Sequence, residues 1–116
     1  MLNQLVVVGR LVKSPELRKT EAGRNVTNIT LAVPRSYKNS NGEYDTDYID
    51  CVLWSNVAET TTEYCHKGDL LGVKGRIQTR MVETEEERPR HVTEIVGERV
   101  TFLSSAHKTE TVEKED

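Results

Sequence analysis

Four of the six aromatic residues, Tyr37, Tyr44, Tyr48 and Trp54, fall within eighteen consecutive positions. A flat ring accepts another π-system face to face. A nucleobase stacks on one for about 1–3 kcal/mol, whatever its identity. Arg18, Lys19, Arg35, Lys38, Lys74, Arg76 and Arg80 lie on the segments around this stretch, and such cations suit a phosphate backbone. The competing reading is that Tyr48 and Trp54 simply fill a core or a subunit contact.

Other candidates carry less. Asp45, Asp47 and Asp50 resemble the carboxylates of a phosphodiester-cleaving metal site, which must converge on one point. On an extended chain Asp47 and Asp50 point to opposite sides, and no His or Glu cluster completes a ligand set, so no metal and no cofactor is expected. His66, His91 and His107 are too scattered for a metal motif. His66 reads as a helix-end partner. His91 opens a strand beside the aromatic face, where it either stacks on or hydrogen-bonds to nucleic acid or stands as a plain surface histidine. Cys51 and Cys65 read as reduced, buried thiols. Gly9, Gly72 and Gly75 lack the spacing of a phosphate loop.

The elements that must position these residues are mostly strands. Leu2 to Val12 contains Val6, Val7 and Val8 in succession, without alternation, so both faces are expected to be covered, one of them by another subunit. Gly9 suits a bulge or bend. Val26 to Val33 alternates, with Ile29, Leu31 and Val33 inward, and Pro34 is expected to end that ladder or mark an edge. Tyr48 to Trp54 puts Ile49, Cys51 and Leu53 inward and Tyr48, Asp50, Val52 and Trp54 outward. Asn56 to His66 reads as a helix opened by an Asn56/Glu59 capping box, with Val57, Ala58, Thr61, Tyr64 and Cys65 on its buried stripe and Lys67-Gly68 at its end. Leu70 to Met81 puts Leu71, Val73, Ile77 and Thr79 inward and Lys74, Arg76, Gln78 and Arg80 outward, provided Gly75 does not flip the register. Val82 to Arg90 is a charged hairpin loop, and His91 to Phe102 is the fifth strand. The order β-β-β-α-β-β fits an all-β, five-stranded Greek-key OB barrel with one short helix between strands 3 and 4. An SH3-like barrel or another small α+β domain stays open on local pattern alone.

The chain has 116 residues, enough for one domain, and a net charge of −3. The acidity seems to argue against a nucleic-acid partner, but it is unevenly placed. Residues 1–80 carry eleven basic and nine acidic groups, whereas residues 81–116 carry five and ten. The segment holding the aromatics is therefore net positive. No apolar run approaches the roughly 20 residues of a membrane span, and no secretory leader is visible, so a cytoplasmic, nucleoid-associated protein is expected.

The segments NQLVVVGRLVKSPELR, NVTNITLAV, DYIDCVLW, AETTTEYCHKGDLLGVKGRIQTR and VTEIVGERVTFL together resemble the bacterial-type single-stranded DNA-binding (SSB) family over about residues 1–103. The Val8-Gly9-Arg10-Leu11 start, the Lys67-Gly68 turn and Gly75 to Arg80 occur in the family's order. The resemblance implies an OB fold, a homotetramer, sequence-tolerant binding of single-stranded DNA in replication, recombination, repair or uptake, and no catalysis. It implies stacking on Tyr37, Tyr48 and Trp54, and backbone contacts from Arg18 and Arg80, with Arg10, Arg35, Lys67 and Arg76 around them. Three departures stand out: Lys19, Val82 and His91 occupy positions where the family commonly has aromatics, which implies either weaker binding or a shift of weight from stacking to charge. Residues 104–116 are expected to form a short acidic tail without the family's apolar partner-docking tip. An OB-fold adaptor with reduced DNA binding is the alternative.

Overall fold

The computed structural model describes residues 1–86 and 88–106. The elements are β1 (Leu5–Leu11), β2 (Arg18–Lys19), β3 (Asn25–Lys38), β4 (Tyr44–Trp54), α1 (Ser55–Tyr64), β5 (Leu70–Val82) and β6 (Arg90–Ser104). The expected tail, apart from residues 104–106, lies outside the described residues, as does Glu87 in the acidic loop.

The strands hydrogen-bond in the order β1-β5-β6-β4-β3-β2, and β1 returns to β3 through Arg10↔Ala32 and Leu11↔Leu31. That return closes the five long strands into a barrel, as the OB reading requires, with β2 a two-residue addition to β3. The β4–β6 pair is parallel and the other pairs are antiparallel. Closure removes most free sheet edge, which an isolated small sheet cannot do. Gly9 makes the β1–β3 crossing possible. A Cβ there would sit 2.7 Å from the Ala32 carbonyl oxygen and 2.8 Å from Val33 Cγ2. The β1–β5 register runs unbroken through it, so Gly9 serves close approach rather than the expected bulge.

Alternation fills the barrel. Leu11, Ile29, Leu31, Cys51, Leu53, Leu71 and Val73 are buried together, and α1 lays Ala58 and the following Cys65 against them. Burying a leucine or valine fully stabilises by about 1.5–3 kcal/mol each, so this cluster is the main cohesive term.

Several expectations change here. The β1 valines do alternate: Val7 packs on the core, while Val6 is 69% and Val8 47% exposed. Pro34 does not end its ladder. It pairs with Thr46, and β3 continues to Lys38 across a register irregularity, which accommodates the missing N–H. The capping box does not form. Trp54 is the N-cap residue and makes no side-chain cap bond, while Glu59 accepts a hydrogen bond from Asn25 Nδ2 instead. Tyr64 closes the helix and stays exposed. Gly75 keeps the β5 parity, because the extra residues of the β5–β6 pair, Glu98 and Leu103, are on β6. Yet Ile77 and Thr79 are exposed, since β5 runs beyond its last β1 partner, Leu5, into a projecting hairpin with no core beneath it. Asn3 steadies that exit: its Nδ2 donates to the Ile77 carbonyl, and its Oδ1 accepts the Ile77 N–H at 3.0 Å.

Candidate nucleic-acid interface

The outward-facing residues of β3 and β4 pair directly: Val26 with Trp54, Asn28 with Val52, Thr30 with Asp50, and Ala32 with Tyr48. Paired residues share a face of the sheet. The β6 residues Val96, Glu94 and Val92 extend this face, and β5 continues it with their partners Arg76, Gln78 and Arg80. At its other side β2 contributes Arg18, opposite Val26. Two adjoining grooves of about 410 and 290 Å³ run over the surface. Both are lined by Asn28, Val52, Arg80 and Glu94, and the smaller one also by Arg18 and Trp54.

Trp54 is the half-buried aromatic of this face, packed on Val26, Val52 and Val96. Tyr48 is 67% and Tyr37 64% exposed, farther along the β3–β4 arm. Polar residues of the groove are linked. Arg76 Nη1 donates to Gln78 Oε1 at 2.7 Å, Gln78 Nε2 to Glu94 Oε1 at 2.7 Å, and Arg80 Nε to Glu94 Oε2 at 3.2 Å. Thr30 Oγ1 donates to Asp50 Oδ1 at 2.6 Å. Glu94 and Asp50 thus bring two carboxylates onto a face whose cations include Arg18, Arg76 and Arg80.

The arrangement offers an aromatic platform, an exposed Tyr48 farther along the same face, and guanidinium groups at both sides of an open groove; Tyr37 stands near Arg35, past the register irregularity of β3. It offers no convergent acid–base pair. Asp45 and Asp47 are drawn to Arg35, while Asp50 lies on the other face of β4, bound to Thr30. Among the described residues no three His, Cys, Asp or Glu side chains are placed to hold a metal ion. No helix among them is long and apolar enough to cross a membrane.

The single-strand binding protein family model matches residues 2–103. The chain belongs to that family. It is similar to single-stranded DNA-binding protein B of Bacillus subtilis, 52% identical over 103 residues, covering 89% of this chain and 91% of that protein. It is 50% identical to single-stranded DNA-binding protein 3 of Listeria innocua over 90% of this chain and 66% of that protein. It is 47% identical to the single-stranded DNA-binding protein of Enterococcus faecalis over 95% of this chain and 58% of that protein.

The cations expected of an SSB-family member do not all converge. Arg18 and Arg80 line the groove, and Arg76 borders it on β5. Lys19 pairs with Asn25, on the opposite side of the β2 ribbon from Arg18. Arg35 holds Asp47 in a two-point contact of 3.0 and 3.1 Å and stands 3.8 Å from Asp45. The Asp47 hydrogen bond and charge push the Arg35 pKa up, and the same contact lowers that of Asp47. Lys38 lies 5.8 Å from the centre of the Tyr44 ring. Arg10 Nη1 donates to the Gly68 carbonyl at 3.0 Å, beside Lys67 at the far end of the helix. Lys74 shares its position with Val6 and Arg99. His91 pairs with Met81 on the opposite side of the β5–β6 hairpin from Arg80 and Val92.

Sequence reasoning missed two members of the face. Glu94 was signalled by its even position beside Val92 and Val96. Arg24 was not signalled: it reaches Trp54 from a turn, and its Cζ lies 4.4 Å from the ring centre.

Proposed function

We propose that this protein binds single-stranded DNA without reading its sequence. Bases stack on Trp54, Tyr48 and Tyr37, and Arg18, Arg76 and Arg80 hold the backbone. The observation that carries the reading is the placement of Trp54, Arg18 and Arg80 on one open groove, on the sheet face that also carries the exposed Tyr48. A single strand presents an unpaired π-face and a phosphate at every nucleotide, and this surface matches both. The outer face is open rather than enclosed, which suits a polymer that passes across it.

The functional unit is a homotetramer around which the strand wraps in the cytoplasm, protecting it during replication, recombination, repair or uptake. Supporting the assembly are Val6 and Val8, two apolar side chains exposed side by side on the outer face of β1. Water contact there is unfavourable, and a second copy removes it.

Trp54 is the only tryptophan, so its fluorescence reports the site directly. Titration with oligo-dT at low salt should quench it strongly, and light scattering should give four times the 13.2 kDa chain. An unquenched tryptophan contradicts stacking, and a monomer at micromolar concentration contradicts the assembly.

A further inference from the structure

We propose that Arg24 is a displaceable cap on Trp54: its guanidinium covers the indole in the free protein, and leaves it for a phosphate when a base stacks. The proposal rests on the stacking reading above and adds to it a residue and a movement.

Four observations converge. The Arg24 guanidinium lies 4.4 Å from the ring centre, within cation–π range. Its Nε donates to Ser55 Oγ at 3.3 Å. Ser55 follows Trp54 directly and has φ 54°, the one positive φ outside glycine among the described residues. Such a conformation is held by its surroundings and clusters at ligand-binding positions. The Arg24 backbone, in contrast, is pinned. Thr20 N donates to the Arg24 carbonyl at 2.9 Å, and Arg24 N donates to Thr20 Oγ1 at 3.2 Å. A fixed backbone carrying a long side chain is a short arm that swings about Cα.

The charge on that arm is not committed to an acid. Among the described residues Arg24 makes no salt bridge, whereas Arg35 and Arg80 each hold a carboxylate. A ring face and a hydroxyl are weak partners for a guanidinium compared with a phosphate, which accepts two charge-assisted hydrogen bonds. Trp54 is packed on Val26, Val52 and Val96, so the area under Arg24 is ring surface that a base needs. Both exchanges favour the bound state: the indole takes the base, and the cation takes the backbone next to it.

The test has two arms. In the free protein the indole ring current should move the Arg24 side-chain resonances upfield. Saturating oligo-dT should return them to ordinary positions while Trp54 is quenched. Quenching with Arg24 still shifted upfield overturns the cap alone; binding without quenching overturns the stacking reading and the cap with it. In the second arm, Arg24→Ala should flatten the salt dependence by one phosphate contact, about 0.7 in log–log slope, so that between roughly 50 and 200 mM salt it loses about 2.6-fold less affinity than wild type. Arg24→Lys keeps the charge and should keep the slope. Equal slopes for wild type and a folded Arg24→Ala overturn the proposal.

Discussion

Glu94→Gln is the substitution that tests the electrostatics of the groove most directly. Glu94 lines both grooves, its side chain is 21% exposed, and it occupies Arg80 Nε at 3.2 Å. The exchange keeps the shape and removes one negative charge from the proposed phosphate path. For a phosphate about 8 Å away and an effective dielectric of about 40, between protein-surface and bulk values, the relieved repulsion is about 1 kcal/mol. That is a gain of about fivefold in affinity for oligo-dT at low salt. Because the groove is open, screening should shrink the gain as ionic strength rises. The glutamine can still accept one hydrogen bond, from Gln78 or Arg80, but loses the charge assistance, so a cost of about 1 kcal/mol in stability accompanies the gain. Fluorescence titration at two salt concentrations measures the first effect and urea denaturation the second. A folded Glu94→Gln variant that binds no more tightly at low salt refutes the placement of phosphates on this face.

Gly75→Ala should destabilise by at least about 2 kcal/mol, read as a lower urea midpoint, because no small side-chain adjustment relieves a Cβ placed 2.1 Å from the Val96 carbonyl oxygen. Val6→Lys should leave the barrel folded, since Val6 is 69% exposed, but lower the mass found by light scattering. Burial, with a smaller contribution from Asp50, raises the Cys51 pKa to about 11. The thiol should therefore react with a disulfide reagent at neutral pH only after unfolding. The sign of the linked stability follows: the unfolded thiol ionises first, so the full stability holds below its ordinary pKa and declines as pH rises from there towards about 11. A urea midpoint that stays flat across that range contradicts this burial.

The inward set was legible because it obeys a local rule. Alternation alone picked Ile29, Leu31, Cys51, Leu53, Leu71 and Val73, and each is buried. The same rule put Tyr48 and Trp54 together on the outer face, since neighbours two apart on a strand always share one. It failed where the barrel ends. Ile77 obeys the parity but has no core beneath it, because the length of β5 relative to β1 is decided by closure, not by the β5 sequence. It failed also at Tyr64, because the stripe that meets the barrel is the narrower one of Ala58, Thr61 and Cys65, and Tyr64 lies at its margin.

The cations show the limit most clearly. Sequence places Arg18, Lys19, Arg35, Lys38, Arg76 and Arg80 near the aromatics, but the register separates Arg18 from Lys19, and Asp47 engages Arg35. Charge type is local, whereas a partner is chosen by which strand lies alongside. Local pattern suffices for a small β-barrel chemistry: an alternating apolar interior, an aromatic outer face and a net-positive segment around it. Which charges meet that face is set by the fold. Pairing across β2, β3, β4, β6 and β5 collects residues from distant positions into one groove, Glu94 among them, and the turn before β3 sets Arg24 over Trp54. Those contacts depend on barrel closure, and no local segment contains the information for it.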